Sequence, residues 1–165
     1  MSEVIMRPMM AEDAAAVAVV SAASFTLNWS EASFRQETEN ALARYLVITE
    51  DEKVVAYAGM WMILGSSEIT SIAVLPECRR RGYGERMMRA LMKLAYEELE
   101  ITEMSLEVRV SNGSAQAMYA KLGFVPEGKR DRYYEDNKED AVIMWCHDTR
   151  PYMAEERIMA EAEGE

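Results

Sequence analysis

Residues 79–84 read Arg-Arg-Arg-Gly-Tyr-Gly. Glycines at 82 and 84 let the backbone turn tightly and present its N–H groups without a Cβ in the way. An amphipathic helix follows, with Met88, Leu91, Met92, Ala95 and Leu99 at helical spacing. Its positive end points back at the loop, and Arg79, Arg80 and Arg81 add charge. The stretch from Arg79 through Arg80, Arg81, Gly82, Tyr83 and Gly84 to Glu85 therefore suits a pyrophosphate. It lacks the Lys-Ser/Thr of a magnesium-nucleotide loop and the three glycines of a dinucleotide fold. A basic turn that only caps a helix fits the same residues.

Other residues could carry chemistry further along. Met104, Leu106, Val108 and Val110 alternate with Ser105, Glu107 and Arg109, which puts Glu107 on the polar side of an otherwise apolar strand. Such a carboxylate is either solvated and paired, with Arg109 at hand, or available to a reacting proton. Asn112 can cap a helix over Ser114–Leu122, which Gly123 closes. Within that helix Tyr119 is either a packed ring or a proton donor. His147 is the only histidine, so neither a Ser-His-Asp triad nor a multi-histidine metal site has its parts, and no metal is expected. Cys78, beside three arginines, is either a passive loop cysteine or a thiol of lowered pKa.

The elements that must position these residues follow from periodicity and punctuation. Val4–Arg7 predicts a strand stopped by Pro8; Ala11–Ser24 predicts a helix; Phe25–Trp29 predicts a loop. Ser30 caps a second helix to about Asn40. Tyr45–Thr49 and Val54–Ile63 form a hairpin, in which Gly59 marks a bulge or a close backbone approach. Glu68–Leu75, Met104–Val110, Phe124–Arg130 and Ala141–Cys146 are further strands, with a helix at Glu85–Glu98. The order β-α-α-β-β-β-α-β-α-β-β gives an α/β fold with a mixed sheet. One domain over residues 1–148 and an acidic tail over 149–165 are expected. The tail is either a helix packing through Met153 and Ile158 or a solubilising segment.

Composition bounds the partners. The chain has 165 residues, half of them hydrophobic and 28% charged, an ordinary globular balance. No apolar run approaches the roughly 18 residues that span a bilayer, and no leader is apparent at the N-terminus. Cys78 and Cys146 make no disulfide framework, so a reducing cytoplasm is expected. Net charge is −11, and residues 153–165 hold only five of the 29 acids. Such a surface repels nucleic acid and anionic membranes and suits a basic partner, or serves solubility alone. Fourteen methionines read as core filler.

Two motifs together resemble a known family. Arg79-x-x-Gly82-x-Gly84, after Thr70-Ser71-Ile72-Ala73-Val74-Leu75-Pro76, resembles the acetyl-CoA motif of the GNAT acetyltransferase superfamily. Asn112-x-x-Ala115-x-x-x-Tyr119-x-x-x-Gly123-Phe124 resembles its second signature. Leu106–Asn112, Phe25-x-x-x-Trp29-Ser30-x-x-x-Phe34 and Arg132-Tyr133-Tyr134…Glu139-Asp140-Ala141-x-Ile143-Met144 are similar to the branch that acetylates the N-terminal alanine of a small-subunit ribosomal protein. The resemblance spans about Val4 to Trp145. That branch usually has Pro where this chain has Asn28.

The resemblance implies a GNAT fold, splayed where acetyl-CoA binds, and gives each candidate a role. Acetyl transfer to an amine needs a base, a place for the oxyanion and a proton for the leaving thiolate. Glu107 is implied as the base, the backbone of Ile72, Ala73 and Val74 as the oxyanion site, and Tyr119 as the acid. Residues 79–85 and Asn112 would hold acetyl-CoA; Trp29, Tyr133 and Tyr134 would line the acceptor channel. The implied acceptor is a basic protein N-terminus, whose arginines acids such as Glu31, Glu135 and Asp136 could meet. A small amine or a lysine as acceptor, or a non-catalytic acetyl-CoA-binding module, are the alternatives.

Overall fold

The computed structural model describes residues 3–24 and 29–155. Among them one sheet of seven strands carries the chain: β1 (Val4–Pro8), β2 (Ala43–Glu50), β3 (Lys53–Ile63), β4 (Ser66–Val74), β5 (Met104–Arg109), β6 (Val125–Arg130) and β7 (Ala141–Cys146). Helices α1 (Ala14–Ser24), α2 (Glu31–Glu37), α3 (Tyr83–Leu99) and α4 (Gly113–Lys121) interleave in the expected order. The spatial order is β1-β2-β3-β4-β5-β7-β6. Neighbours are antiparallel except β4 and β5.

That parallel pair is short. β4 and β5 are in register only at Ser67 with Met104 and Glu68 with Ser105, and beyond this point they part. The opening has a visible cause on the β4 side. Gly59 of β3 pairs with Ser71, but Met60 pairs with Ile69, so Thr70 is an extra residue in β4. Such a bulge bends and twists the strand that carries it. A Cβ on Gly59 would lie 2.2 Å from the Tyr45 ring, so glycine is required for that ring to cross β3. The Tyr45 hydroxyl then reaches Thr70 Oγ1 at 2.7 Å, and Tyr57 reaches Ser71 Oγ at 2.6 Å. Both readings of Gly59, bulge and close approach, hold.

Burial separates the two halves of the sheet. Val54–Met60 of β3 is buried without interruption, as in a strand covered on both faces. Both α1 and α3 contact it. Phe34 of α2 meets Tyr57 edge-on at 5.2 Å. β5 instead alternates buried and half-buried residues, with Met104, Leu106 and Val108 inward. β6, at the sheet edge, is exposed throughout. Met60, Met87, Met88, Met92 and Met104 are fully buried, so these methionines do fill the core.

Helix α3 starts two residues before its apolar periodicity suggests, at Tyr83, because Gly82 takes φ +80° and turns the chain into it. Helix α4 ends on Gly123 at φ +90°, with Phe124 N–H bonding Tyr119 O and Gly123 N–H bonding Ala120 O. That is the paired closure expected of a left-handed C′ residue. The Tyr152 ring lies where a Gly123 Cβ would be. Residues 149–154 lie on the body: Thr149 N–H bonds Thr102 O, Ala154 N–H bonds Arg89 O, and Arg89 Nη1 donates to Tyr152 O at 2.7 Å. Met153 packs against the core; Ile158 and Asn28 lie outside the described residues. No described helix is long and apolar enough to cross a membrane.

Candidate active site

The parting of β4 and β5 makes a cleft of about 360 Å³. Thr70, Ser71 and Ile72 of β4 form one wall, and Leu106–Arg109 of β5 the other. Trp29, Asn112, Tyr119, Tyr134 and Glu135 close around it. Residues far apart in the sequence thus meet in one space. Glu107 and Tyr119, 12 positions apart in the chain, line it together.

Alternation puts Glu107 there: its neighbours Leu106 and Val108 are buried on the other face of β5. Its partner is not the adjacent Arg109 but Arg130 of β6, whose Nε donates to Glu107 Oε2. Arg109 is turned to the β6–β7 connection. It donates to both Asp136 oxygens, at 2.8 and 3.1 Å, and to Asn137 and Glu139, and its guanidinium covers the Tyr134 ring at 4.0 Å. Ser111 and Asn137 with Arg109 hold the Glu139 carboxyl down to about 2. Arg109 thereby fixes the segment that carries Tyr134 into the cleft. Sequence reasoning missed this role and that of Arg130, since both depend on contacts between strands distant in sequence.

Tyr119 is 5% exposed, and among the described residues its hydroxyl has no hydrogen-bond partner. Burial pushes it up to about 12, with Tyr134 adding to the shift. The phenol is therefore protonated throughout the working range. The same apolar surroundings raise any thiol formed beside it. Asn112 caps α4, its Oδ1 accepting from Ala115 N–H at 3.2 Å, and it also lines the cleft. Trp29 packs on Phe34 at 5.5 Å and presents its ring to the cleft. Tyr133 does not line it: the ring is half-exposed beside the mouth, edge-on to Tyr134 and under Arg130 at 5.7 Å. Ala73 is buried, and Val74 O accepts from Arg79 Nε, so of the β4 trio only Ile72 lines the cleft.

At the start of α3 the fit to a pyrophosphate can be tested. A Cβ on Gly82 would meet nothing within 4 Å, so open space lies over the turn. No side chain caps the helix, which leaves its first N–H groups presented to that space. Seventeen residues of helix aim their dipole there. The three arginines are less available than their types suggest. Arg79 bonds Val74 O and Ser24 Oγ; Arg81 donates to Glu50 Oε2 at 2.5 Å; only Arg80 has no partner among the described residues. The Tyr83 hydroxyl also donates to Glu50, and with Arg81 holds that carboxyl below its usual range. Glu85 spends its side chain on Arg89 and Lys121, tying α3 to α4. Backbone N–H groups and Arg80 fit an anion here; a triple guanidinium charge does not.

Of the two readings of Cys78 the passive one holds, and two acids expected to be free are paired. The Cys78 thiol is not lowered: it is buried beside Glu50, and burial first, then that carboxylate, push it up. Asp136 is bound to Arg109, and Glu31 to Arg35 at 2.8 Å, so neither is a free carboxylate; Glu135 lines the cleft. Among the described residues no group of His, Cys, Asp and Glu could hold a metal.

Comparison with known proteins agrees with this geometry. The family model for the acetyltransferase (GNAT) family matches residues 15–124. A Bacillus subtilis protein provisionally named ribosomal protein bS18-alanine N-acetyltransferase is 44% identical over 140 residues, covering 84% of this chain and 92% of its own. The Escherichia coli (strain K12) ribosomal protein bS18-alanine N-acetyltransferase is 38% identical over 123 residues, covering 70% and 78%. The crystal structure of the Escherichia coli ribosomal-protein-S18-alanine N-acetyltransferase superposes with a TM-score of 0.81 at 28% identity, over 93% of this chain and 97% of that one. Splayed strands, an uncapped glycine-started helix and these likenesses converge: the chain belongs to the GNAT acetyltransferase family and is an acetyltransferase similar to its ribosomal-protein-alanine branch.

Proposed function

We propose that this protein transfers the acetyl group of acetyl-CoA to the α-amine of a protein N-terminus, the N-terminal alanine of ribosomal protein bS18. The observation that carries this reading is the meeting of Glu107 and Tyr119 across the cleft between β4 and β5, joined to the likeness of relatives bearing that name. A ribosomal acceptor and two free buried cysteines suit the cytoplasm.

In this reading the N–H groups from Arg81 to Gly84, with Arg80, hold the pyrophosphate, and Asn112 steadies the arm that leads into the cleft. Bound acetyl-CoA would supply the acetyl group: the C–N bond forms, the C–S bond breaks, and CoA departs as the thiolate with the electrons of that bond. An α-ammonium has pKa near 8 and no lone pair, so it must lose a proton before attack. Glu107 accepts that proton, directly or through water. Backbone N–H groups of the bulged β4, around Ile72, hold the carbonyl oxygen as its charge develops. Tyr119 gives its proton to the departing sulfur. Burial opposes ionisation of the phenol, but it opposes a free thiolate in the same place, and proton transfer relieves the second cost. Trp29 and Tyr134 narrow the acceptor side to a small first residue.

The test is direct. A peptide with the first residues of bS18 is incubated with enzyme and acetyl-CoA, and the product is mapped by fragmentation mass spectrometry. One acetyl group on the α-amine is expected, and none when that amine is blocked. Acetylation of lysine side chains, or of spermidine but not the peptide, would replace this reading with the small-amine or lysine alternative.

A further inference from the structure

A second groove, of about 490 Å³, opens on the sheet surface beside the cleft and shares Leu106 and Glu107 with it. Trp61 of β3 and Trp145 of β7 line it, with Ile63 and Ile143, and Glu68 and Ser105 lie at the point where β4 and β5 still pair. Both indoles are fixed. Trp61 Nε1 donates to Glu37 Oε1 at 2.6 Å, and Trp145 stacks flat on His147 at 5.6 Å. His147 is in turn held by Glu103 and Glu127. The groove is therefore built rather than a chance gap between loops.

Its charge is unbalanced. Two of its lining carboxylates, Glu68 and Glu107, face one cation, Arg130. Arg130 is bound to Glu107 and lies over the Tyr133 ring, so Glu68 keeps no ion-pair partner among the described residues. The protein thus already places one guanidinium between a carboxylate and an aromatic ring here, and leaves the adjoining carboxylate open. Glu68 pairs with Ser105, and Glu107 lies two residues further along β5, about 7 Å away at the rise of a strand. Alternate side chains of an extended peptide have the same spacing.

We propose that this groove is a specificity subsite for a cationic side chain of the acceptor polypeptide, with Glu68 as its ionic partner and Trp61 and Trp145 as its walls. The inference rests on the acceptor being a polypeptide whose amine reaches Glu107. An extended chain starting there carries its second or third side chain over the groove. A guanidinium fits best, because it can meet a carboxylate and lie on an indole face together.

The experiment uses peptides beginning with alanine, with a single arginine moved through the first few positions, each paired with its citrulline counterpart. The wild type should favour arginine over citrulline in kcat/KM by roughly two- to fivefold at the second or third position, and salt should shrink the ratio. Glu68→Gln should bring that ratio to about one, and Glu68→Lys should invert it. Glu12→Gln, an equal loss of charge on a remote turn, should leave the ratio as it is. Glu68 is exposed, so these exchanges spare the core. If every peptide is acetylated on its α-amine and Glu68→Gln discriminates as the wild type does, the subsite is wrong while the acetyltransferase reading stands. If no peptide is acetylated on the α-amine, both fall.

Discussion

Arg130, on the exposed edge strand β6, reaches over β7 and donates to Glu107 on β5. The carboxylate assigned as base thus carries a cation before any acceptor arrives. An incoming ammonium has to share or replace it. Glu107→Gln keeps the shape and removes the proton acceptor, so turnover should fall about 10²–10⁴-fold. Arg130→Ala should act in the opposite sense on binding. The pair is partly exposed and worth about 0.2–1 kcal/mol, so KM for the acceptor should drop up to about fivefold. Steady-state kinetics on both variants checks this. A rise in KM for Arg130→Ala would show that Arg130 holds the acceptor rather than its place.

Tyr119 lines the cleft, its hydroxyl has no hydrogen-bond partner among the described residues, and its ring packs against Phe124 at 5.8 Å. Tyr119→Phe should leave that packing, the melting temperature and acetyl-CoA affinity unchanged. Turnover should fall about 10²–10⁴-fold if the phenol is the acid. With its pKa near 12, ionisation of Tyr119 should produce no alkaline loss of activity below about pH 10. A stopped-flow single-turnover measurement isolates the chemical step. An unchanged rate there would remove Tyr119 from the mechanism and leave it a core residue.

Much of this site is written locally, and so could be read. Two glycines and the helix after them identify the turn at Gly82, and strict alternation over residues 104–109 puts Glu107 outward. What was not legible depends on register between strands far apart in sequence. Arg130 meets Glu107 only because β6 joins β7 with Glu127 as an extra residue opposite Met144 and Ile143. Nothing near Arg79–Arg81 tells that Glu50, at the end of β2, takes up Arg81. Its neighbours in sequence left Cys78 either passive or activated, and only the neighbour in space, the Glu50 carboxylate, decides for the passive reading. Arg109 seemed the natural mate of Glu107, two residues away on the same face, until the loop after β6 offered it three partners.

Gly59 and Tyr45 form a coupled pair. A Cβ at residue 59 would lie 2.2 Å from the Tyr45 ring, which is buried and tethered to Thr70, so the ring cannot simply swing away. Gly59→Ala should cost about 1–3 kcal/mol by overpacking. Tyr45→Ala should be destabilising by itself, through lost packing against Phe34 and Trp29. In the Tyr45→Ala background the added methyl should cost nearly nothing. Urea denaturation of the four proteins yields the coupling energy, expected above about 0.5 kcal/mol for residues in contact. Strict additivity would mean that glycine serves the bulge alone.

His147 lies between two carboxylates, with Nδ1 2.8 Å from Glu103 and Nε2 2.5 Å from Glu127. Only the imidazolium donates from both nitrogens. Glu103 first and Glu127 second raise its pKa above 6.5. The folded value therefore exceeds the unfolded one, and folding favours the proton. The resulting stability is complete below about pH 6.5 and fades as pH climbs through the folded pKa. His147→Gln, which cannot be charged, should lower the melting temperature more at about pH 6 than at about pH 9, where wild type and variant should converge. All three groups are solvent-facing, so added salt should narrow the difference at the lower pH. Thermal melts at constant ionic strength across that range, with the ring followed by NMR, decide the matter. A gap that stays constant with pH would mean that His147 contributes through its stacking on Trp145 and not through its charge.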